Sequence, residues 1–148
     1  MALIDLTDLP QSGPLIGIDP GSKTLGIAAS DGLRLIASPV ETIQRTKLKN
    51  DLRRLFELYD ERGAVGLVLG LPLNMDGSEG PRAQSARALA RNIVNARDVP
   101  IALQDERMSS AQAERAMLEA DLSRARRAEL IDASAASVIL QTAIDRLA

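Results

Sequence analysis

The chain of 148 residues contains no cysteine, no histidine and no tryptophan, with one tyrosine and one phenylalanine. These absences remove whole classes of chemistry. Without thiol or imidazole groups there is no zinc site of the usual ligand kinds, no thiol nucleophile, no Ser-His-Asp triad and no imidazole base. Scarce aromatic rings leave little base stacking for single-stranded nucleic acid, so any such contact runs mainly to phosphates. Oxygen donors remain, and they suit hard cations such as Mg²⁺ or Mn²⁺. Catalysis in this chain is therefore expected to be carboxylate chemistry carried out with a metal.

A charge excess of one sign is also missing. Eighteen Lys and Arg stand against 20 Asp and Glu, a net charge of -2, unlike the basic excess of many nucleic-acid-binding domains. The cations cluster instead. Arg45, Lys47, Lys49, Arg53 and Arg54 crowd one segment, and Arg124, Arg126 and Arg127 another; solvated helix faces account for them as readily as a phosphate platform does. No apolar run approaches the roughly 20 residues that span a bilayer. Residues 1–13 carry Asp5 and Asp8 with no basic stretch to make a signal peptide. A cytoplasmic protein with no membrane partner is the expectation. The length suits one domain with a proper core, read as residues 14–148 behind a short, loose extension over 1–13.

Hydropathy patterning supplies the elements. Leu15 to Ile18 reads as a buried strand closed by Asp19, Pro20 and Gly21, and Gly26 to Ser30 as its hairpin partner. Leu33 to Val40 is a third strand candidate, interrupted by Pro39. Leu48, Leu52, Leu55, Phe56 and Tyr59 then form one helical stripe that stops at Gly63. Ala64 to Gly70 is nearly all apolar, as a parallel strand covered on both faces should be. A loop rich in Gly, Pro, Asn and Asp follows to Pro81, then a helix from Arg82 to Arg97 and a short strand from Pro100 to Gln104. Ser109 with Gln112 suits a capping box, and a last helix runs from about Glu129 to Leu147. Three antiparallel strands followed by two βα crossovers give a mixed five-stranded sheet with helices on both faces, the ribonuclease H-like α/β arrangement.

Four acids stand where chemistry could occur. Asp19, in G-I-D-P-G-S-K-T-L-G, ends the first strand, although an acid in such a turn is also an ordinary turn former. Asp105 and Glu106 end the last strand, where parallel sheets place ligand sites. Alternation puts Asp105 on the face of Leu103 and Glu106 on the other, and parity alone selects neither. Asp132 lies in I-D-A-S-A-A-S-V-I-L-Q, flanking an expected core stripe of Ile131, Ala135, Val138, Ile139 and Thr142. Ala133, Ala135 and Ala136 would let that helix lie close to the sheet. The loop G-L-P-L-N-M-D-G-S-E-G-P-R leaves a strand's C-terminal end, and Asn74, Asp76, Ser78 and Arg82 in it could touch phosphate or sugar.

Taken together, G-I-D-P-G-S-K-T-L-G-I-A-A-S-D, L-V-L-G-L-P-L-N-M-D-G-S-E-G-P-R, D-E-R-M-S-S-A-Q-A-E and D-A-S-A-A-S-V-I-L-Q closely resemble the YqgF or RuvX family, relatives of the RuvC Holliday-junction resolvases. The resemblance covers nearly everything from Leu15 onward. It implies a ribonuclease H-like fold and a nuclease that matures the 5′ end of the 16S ribosomal RNA precursor, with a resolvase acting on structured DNA as the older proposal. It assigns the catalytic and metal-holding acids to Asp19, to the D-E-R pair (Glu106 preferred, Asp105 kept open) and to Asp132, around one or two Mg²⁺ or Mn²⁺ ions. Lys23, Asn74, Arg82 and Arg107 become the candidates for gripping nucleic acid. The place where the wider ribonuclease H pattern keeps its second acid reads Leu69-Gly70-Leu71-Pro72 here. A rival reading is a non-catalytic module that binds RNA or the ribosome, and the assembly is expected to be a monomer or a homodimer.

Overall fold

The computed structural model describes residues 4–105 and 124–147, with side chains of the last segment from residue 133 onward. Glu106, Arg107 and the Ser109–Gln112 capping box lie outside the described residues. The elements are β1 (Leu15–Pro20), β2 (Thr24–Ser30), β3 (Ala37–Gln44), α1 (Leu48–Glu61), β4 (Gly66–Leu71), α2 (Pro81–Ala96), β5 (Ile101–Asp105) and α3 (Arg124–Leu147), preceded by a 3-10 turn over Leu6–Asp8. They build one five-stranded sheet in the order β3-β2-β1-β4-β5. The β1–β2 and β2–β3 pairs are antiparallel, and the β1–β4 and β4–β5 pairs parallel. This is the mixed sheet expected from the sequence.

Two layers of side chains cover it. Ile16, Ile18, Leu67, Leu69 and Ile101 face α1 and α2, where Leu52, Leu55, Leu58, Leu89 and Ile93 meet them. The alternate residues Leu15, Ala28, Val68 and Ala102 face α3, packing on Ala136, Ile139, Leu140, Ala143 and Ile144. A Cβ placed on Gly17 would stand 2.8 Å from Leu140 Cβ and 3.0 Å from the Ala136 carbonyl oxygen. Only glycine admits the helix backbone that close to β1.

Four expectations change. The third strand begins at Ala37 rather than Leu33, because Asp31 Oδ1 and Oδ2 accept the backbone N–H groups of Leu35 and Ile36 (both 2.9 Å) and of Leu33 (3.1 Å). That loop is completed by Arg34 at φ 57, and the ladder starts only after it. Pro39, which lacks an N–H, sits on the edge strand beside a register shift opposite Ile27 and Ala28, where its missing donor costs least. The core stripe of α3 is rotated from the expected one: Thr142 is exposed, and Ala136, Leu140 and Ala143 face the sheet instead. The run from Ala133 to Leu140 is apolar on several sides, so periodicity alone did not fix its facing. The same helix is already formed at Arg124, ahead of Glu129, through Arg, Ala, Glu and Leu residues that all favour helix.

The fourth change is at the N-terminus. From Ile4 onward the leading segment is not loose. Ile4 donates its N–H to the Ile101 carbonyl at 3.1 Å, and Leu6 and Leu9 are buried against the α3 layer. Two leucines spaced on one side of a short turn supply enough apolar surface to dock it.

Candidate active site and nucleic-acid interface

Asp19 owes its position to strand alternation. Leu15 and Gly17 face α3, Ile16 and Ile18 face α1 and α2, so Asp19 falls on the α3 side, half-buried at the end of β1. It pairs in register with Gly26 of β2, and the chain turns directly after it. Gly21 closes that turn by donating its N–H to the Thr24 carbonyl at 2.9 Å. A Cβ there would lie 2.6 Å from the same carbonyl oxygen, so the glycine in D-P-G serves the turn itself.

The rotated stripe of α3 matters for Asp132. It stands one helical turn before Ala136, the residue whose carbonyl faces Gly17. Gly17 in turn lies two residues before Asp19, on the same strand face. Asp19 and the helix that carries Asp132 therefore share one face of the sheet. Asp105 does not. In register with Leu71, and alternating with Ile101 and Leu103, it falls on the α1/α2 face. Gln104 takes the α3 side of β5, where it is buried and its Oε1 accepts an Arg146 N–H at 2.9 Å. Glu106 and the side chain of Asp132 lie outside the described residues, and among those described no three acids gather as a metal site.

The candidate nucleic-acid contacts spread around the same strand ends. Lys23 is exposed in the β1–β2 turn, held through its carbonyl, which accepts the Arg45 N–H at 2.9 Å. Arg82 is exposed in the first turn of α2. Asn74 is exposed but structural: its Nδ2 donates to Ser78 Oγ at 3.0 Å and its N–H to the Ser78 carbonyl at 2.9 Å. Asp76 Oδ1 accepts both the Ser78 N–H and its hydroxyl. The long loop is thus a self-braced turn, with Arg82 at its exit.

Several cations of the basic segment are already committed. Arg54 forks onto Glu41 at 2.6 and 2.8 Å, which holds the Glu41 carboxyl below the usual range. Arg87 does the same for Glu79. Sequence reasoning placed Arg45 in a basic segment but missed its pairing with Asp51. Asp51 is 3% exposed, its Oδ1 accepts the Thr46 N–H at 3.0 Å and its Oδ2 lies 3.8 Å from Arg45 Nε. An acid in the first turn of an amphipathic helix, six residues after an arginine, was the available signal.

With order β3-β2-β1-β4-β5, three antiparallel strands then two parallel ones, and helices on both faces, the architecture is that of the RuvC-like branch of ribonuclease H-like folds. Two solved structures share it: Thermus thermophilus RuvC with a Holliday junction substrate (TM-score 0.55, 17% identity, 90% of this chain and 95% of that one) and the same protein alone (TM-score 0.54). A family model described as "RuvX: Holliday junction resolvase" matches residues 13–146, and the chain belongs to the RuvX family. Curated relatives named "Putative pre-16S rRNA nuclease" are similar over nearly the whole chain. One from Cereibacter sphaeroides is 60% identical over 142 residues, 96% of this chain and 89% of its own length. One from Bradyrhizobium is 59% identical over 139 residues, 94% of this chain and 86% of its own.

Proposed function

We propose that this chain is a nuclease that hydrolyses phosphodiester bonds in the precursor of 16S ribosomal RNA, in the cytoplasm and as a monomer or homodimer. The observation that carries the reading is the shared sheet face of Asp19 and the helix bearing Asp132, locked together at Gly17. The substrate is the one for which the curated relatives are named. Asp19, Glu106 and Asp132 would hold a hard divalent cation, Mg²⁺ or Mn²⁺; an all-oxygen donor set in a chain without histidine or cysteine fits such an ion. Held there, such a cation would acidify a bound water and so supply the nucleophile that an imidazole base would otherwise generate. Glu106 is preferred to Asp105 in this reading, since strand alternation turns Asp105 toward the opposite face.

The chain's other residues bind and orient. Lys23 at the turn after Asp19, together with Arg82 and Arg107, grips the phosphate backbone, and Asn74 shapes the loop from which Arg82 projects. A resolvase reading draws on the family model's own description. The decisive experiment compares wild type with Asp19→Asn on structured precursor RNA and on four-way DNA, each with Mg²⁺ and Mn²⁺. RNA cleavage lost in the variant supports the proposal. Equal cleavage by both proteins overturns the site, and cleavage of four-way DNA alone selects the resolvase.

A further inference from the structure

On the far side of the sheet from Asp19, a cleft of about 620 Å³ opens between the β1–β2 turn and the starts of α1 and α2. Its polar lining includes Ser22, Arg45, Thr46, Asp51, Arg82 and Ser85. A volume of this size suits a ligand segment rather than a single ion. The acid in the lining is spent internally. Asp51 takes the Thr46 N–H and faces Arg45, and Arg45 donates an Nη1–H to the Gly21 carbonyl at 2.8 Å. This pair braces the wall and cancels its own charge.

What remains around the cleft is positive. Lys23, Lys47, Lys49 and Arg82 are exposed and have no ion-pair partner among the described residues. Arg82 lines the cleft, Lys23 follows Ser22, and Lys47 and Lys49 flank Leu48, which also lines it. Three arginines elsewhere are neutralised by carboxylates: Arg54 by Glu41, Arg87 by Glu79, Arg97 by Asp60. Four such cations thus surround one cleft, whose only acid among the described residues is already paired, in a chain whose net charge is -2.

We propose that this cleft is a docking groove for the phosphates of the substrate strand, holding the segment next to the bond presented to Asp19. It rests on the nuclease reading above and deepens it, placing the phosphate contacts of Lys23 and Arg82, with those of Lys47 and Lys49, along a groove on the face opposite Asp19. Pro20, the residue after Asp19, forms part of the groove wall, so a strand leaving one face reaches the other across the end of β1. The hydroxyls of Ser22 and Ser85 add donors, and with no aromatic ring in the lining the groove reads backbone rather than bases.

The test is binding of a short dye-labelled single-stranded RNA over a salt series in EDTA, so that no cleavage intervenes. Arg82→Ala and the double change Lys47→Ala, Lys49→Ala should each raise Kd several-fold. Each should also flatten the dependence of log K on log salt, by about 0.7 for every phosphate that the variant no longer neutralises. Arg62→Ala and Arg91→Ala, exposed cations away from the lining, should leave both quantities unchanged. Wild-type binding by the groove variants, or equal losses in the two controls, overturns the groove. Because the assay needs no catalysis, the two proposals fail separately. An Asp19→Asn protein that still cuts removes the catalytic reading and leaves the groove standing, while normal binding by groove variants beside an inactive Asp19→Asn does the reverse.

Discussion

The two faces of the sheet differ in how closely their helices approach. Toward α1 and α2 the strands present large aliphatic side chains, Leu25, Ile27, Leu67 and Leu69, all fully buried. They hold the helices off the sheet by their own bulk, and where they end a cleft is left open. Toward α3 the strands set Gly17, Ala28 and Ala102 beside Leu15 and Val68, against a helix whose own contact residues include Ala136 and Ala143. There backbone nearly meets backbone. Bulk gives stability and leaves room for a ligand, whereas smallness fixes the distance between two elements. Asp19 and the helix that carries Asp132 share the second face, where position matters most, and the proposed groove lies at the end of the first.

The contrast can be broken from either side. Truncating the bulky face, as in Leu69→Ala, should cost about 2–5 kcal/mol through lost transfer energy and a cavity, measured by urea unfolding. Enlarging the close face by a single methyl, Gly17→Ala, should cost about 1–3 kcal/mol, since the new Cβ meets Leu140 Cβ at 2.8 Å. It should also lower cleavage beyond its effect on the folded fraction, because it pushes the helix of Asp132 from the strand of Asp19. If Gly17→Ala were neutral in both, the close approach would have no functional weight.

Smaller effects sharpen the picture. Arg54 holds the Glu41 carboxyl below its ordinary value of 4.5, so the pair stabilises the fold above that pH and the contribution fades as pH falls through the lower folded value. Glu41→Gln should therefore be less stable at neutral pH, by under about 1 kcal/mol because both groups are partly exposed. The deficit should close in acid; a deficit that persisted at about pH 2–3 would assign it to packing. Smallest of all, Ser134 Oγ is buried without a hydrogen-bond partner among the described residues. Ser134→Ala should be neutral or stabilising by up to about 1 kcal/mol in the same unfolding assay.

The sheet was legible in the sequence because its signals were strong and local. The apolar runs at Leu15 and Ala64 and the helical stripe from Leu48 fall where β1, β4 and α1 form. The start of β3 was not, because a single carboxylate, Asp31, gathers three N–H groups across a loop whose apolar residues mimic a strand. Of the site, the position of Asp19 at a strand end could be read directly. Which face it shares with which acid could not, since parity becomes meaningful only once α3 is known to lie over Gly17. The facing of α3 was obscured by its own alanines, and the Arg45–Asp51 brace by a partner, Gly21, that lies far away in sequence.

The seat of α3 on β1 also orders events in time. The β1–β2 hairpin joins neighbours in sequence, so Asp19 can be set in place while most of the chain is still being synthesised. The helix bearing Asp132 follows every strand, and its contact with Gly17 spans nearly the whole sequence, the kind of long-range closure that forms late. A nascent chain on the ribosome therefore carries the strand of Asp19 without the helix of Asp132, and the two elements meet only as the domain closes.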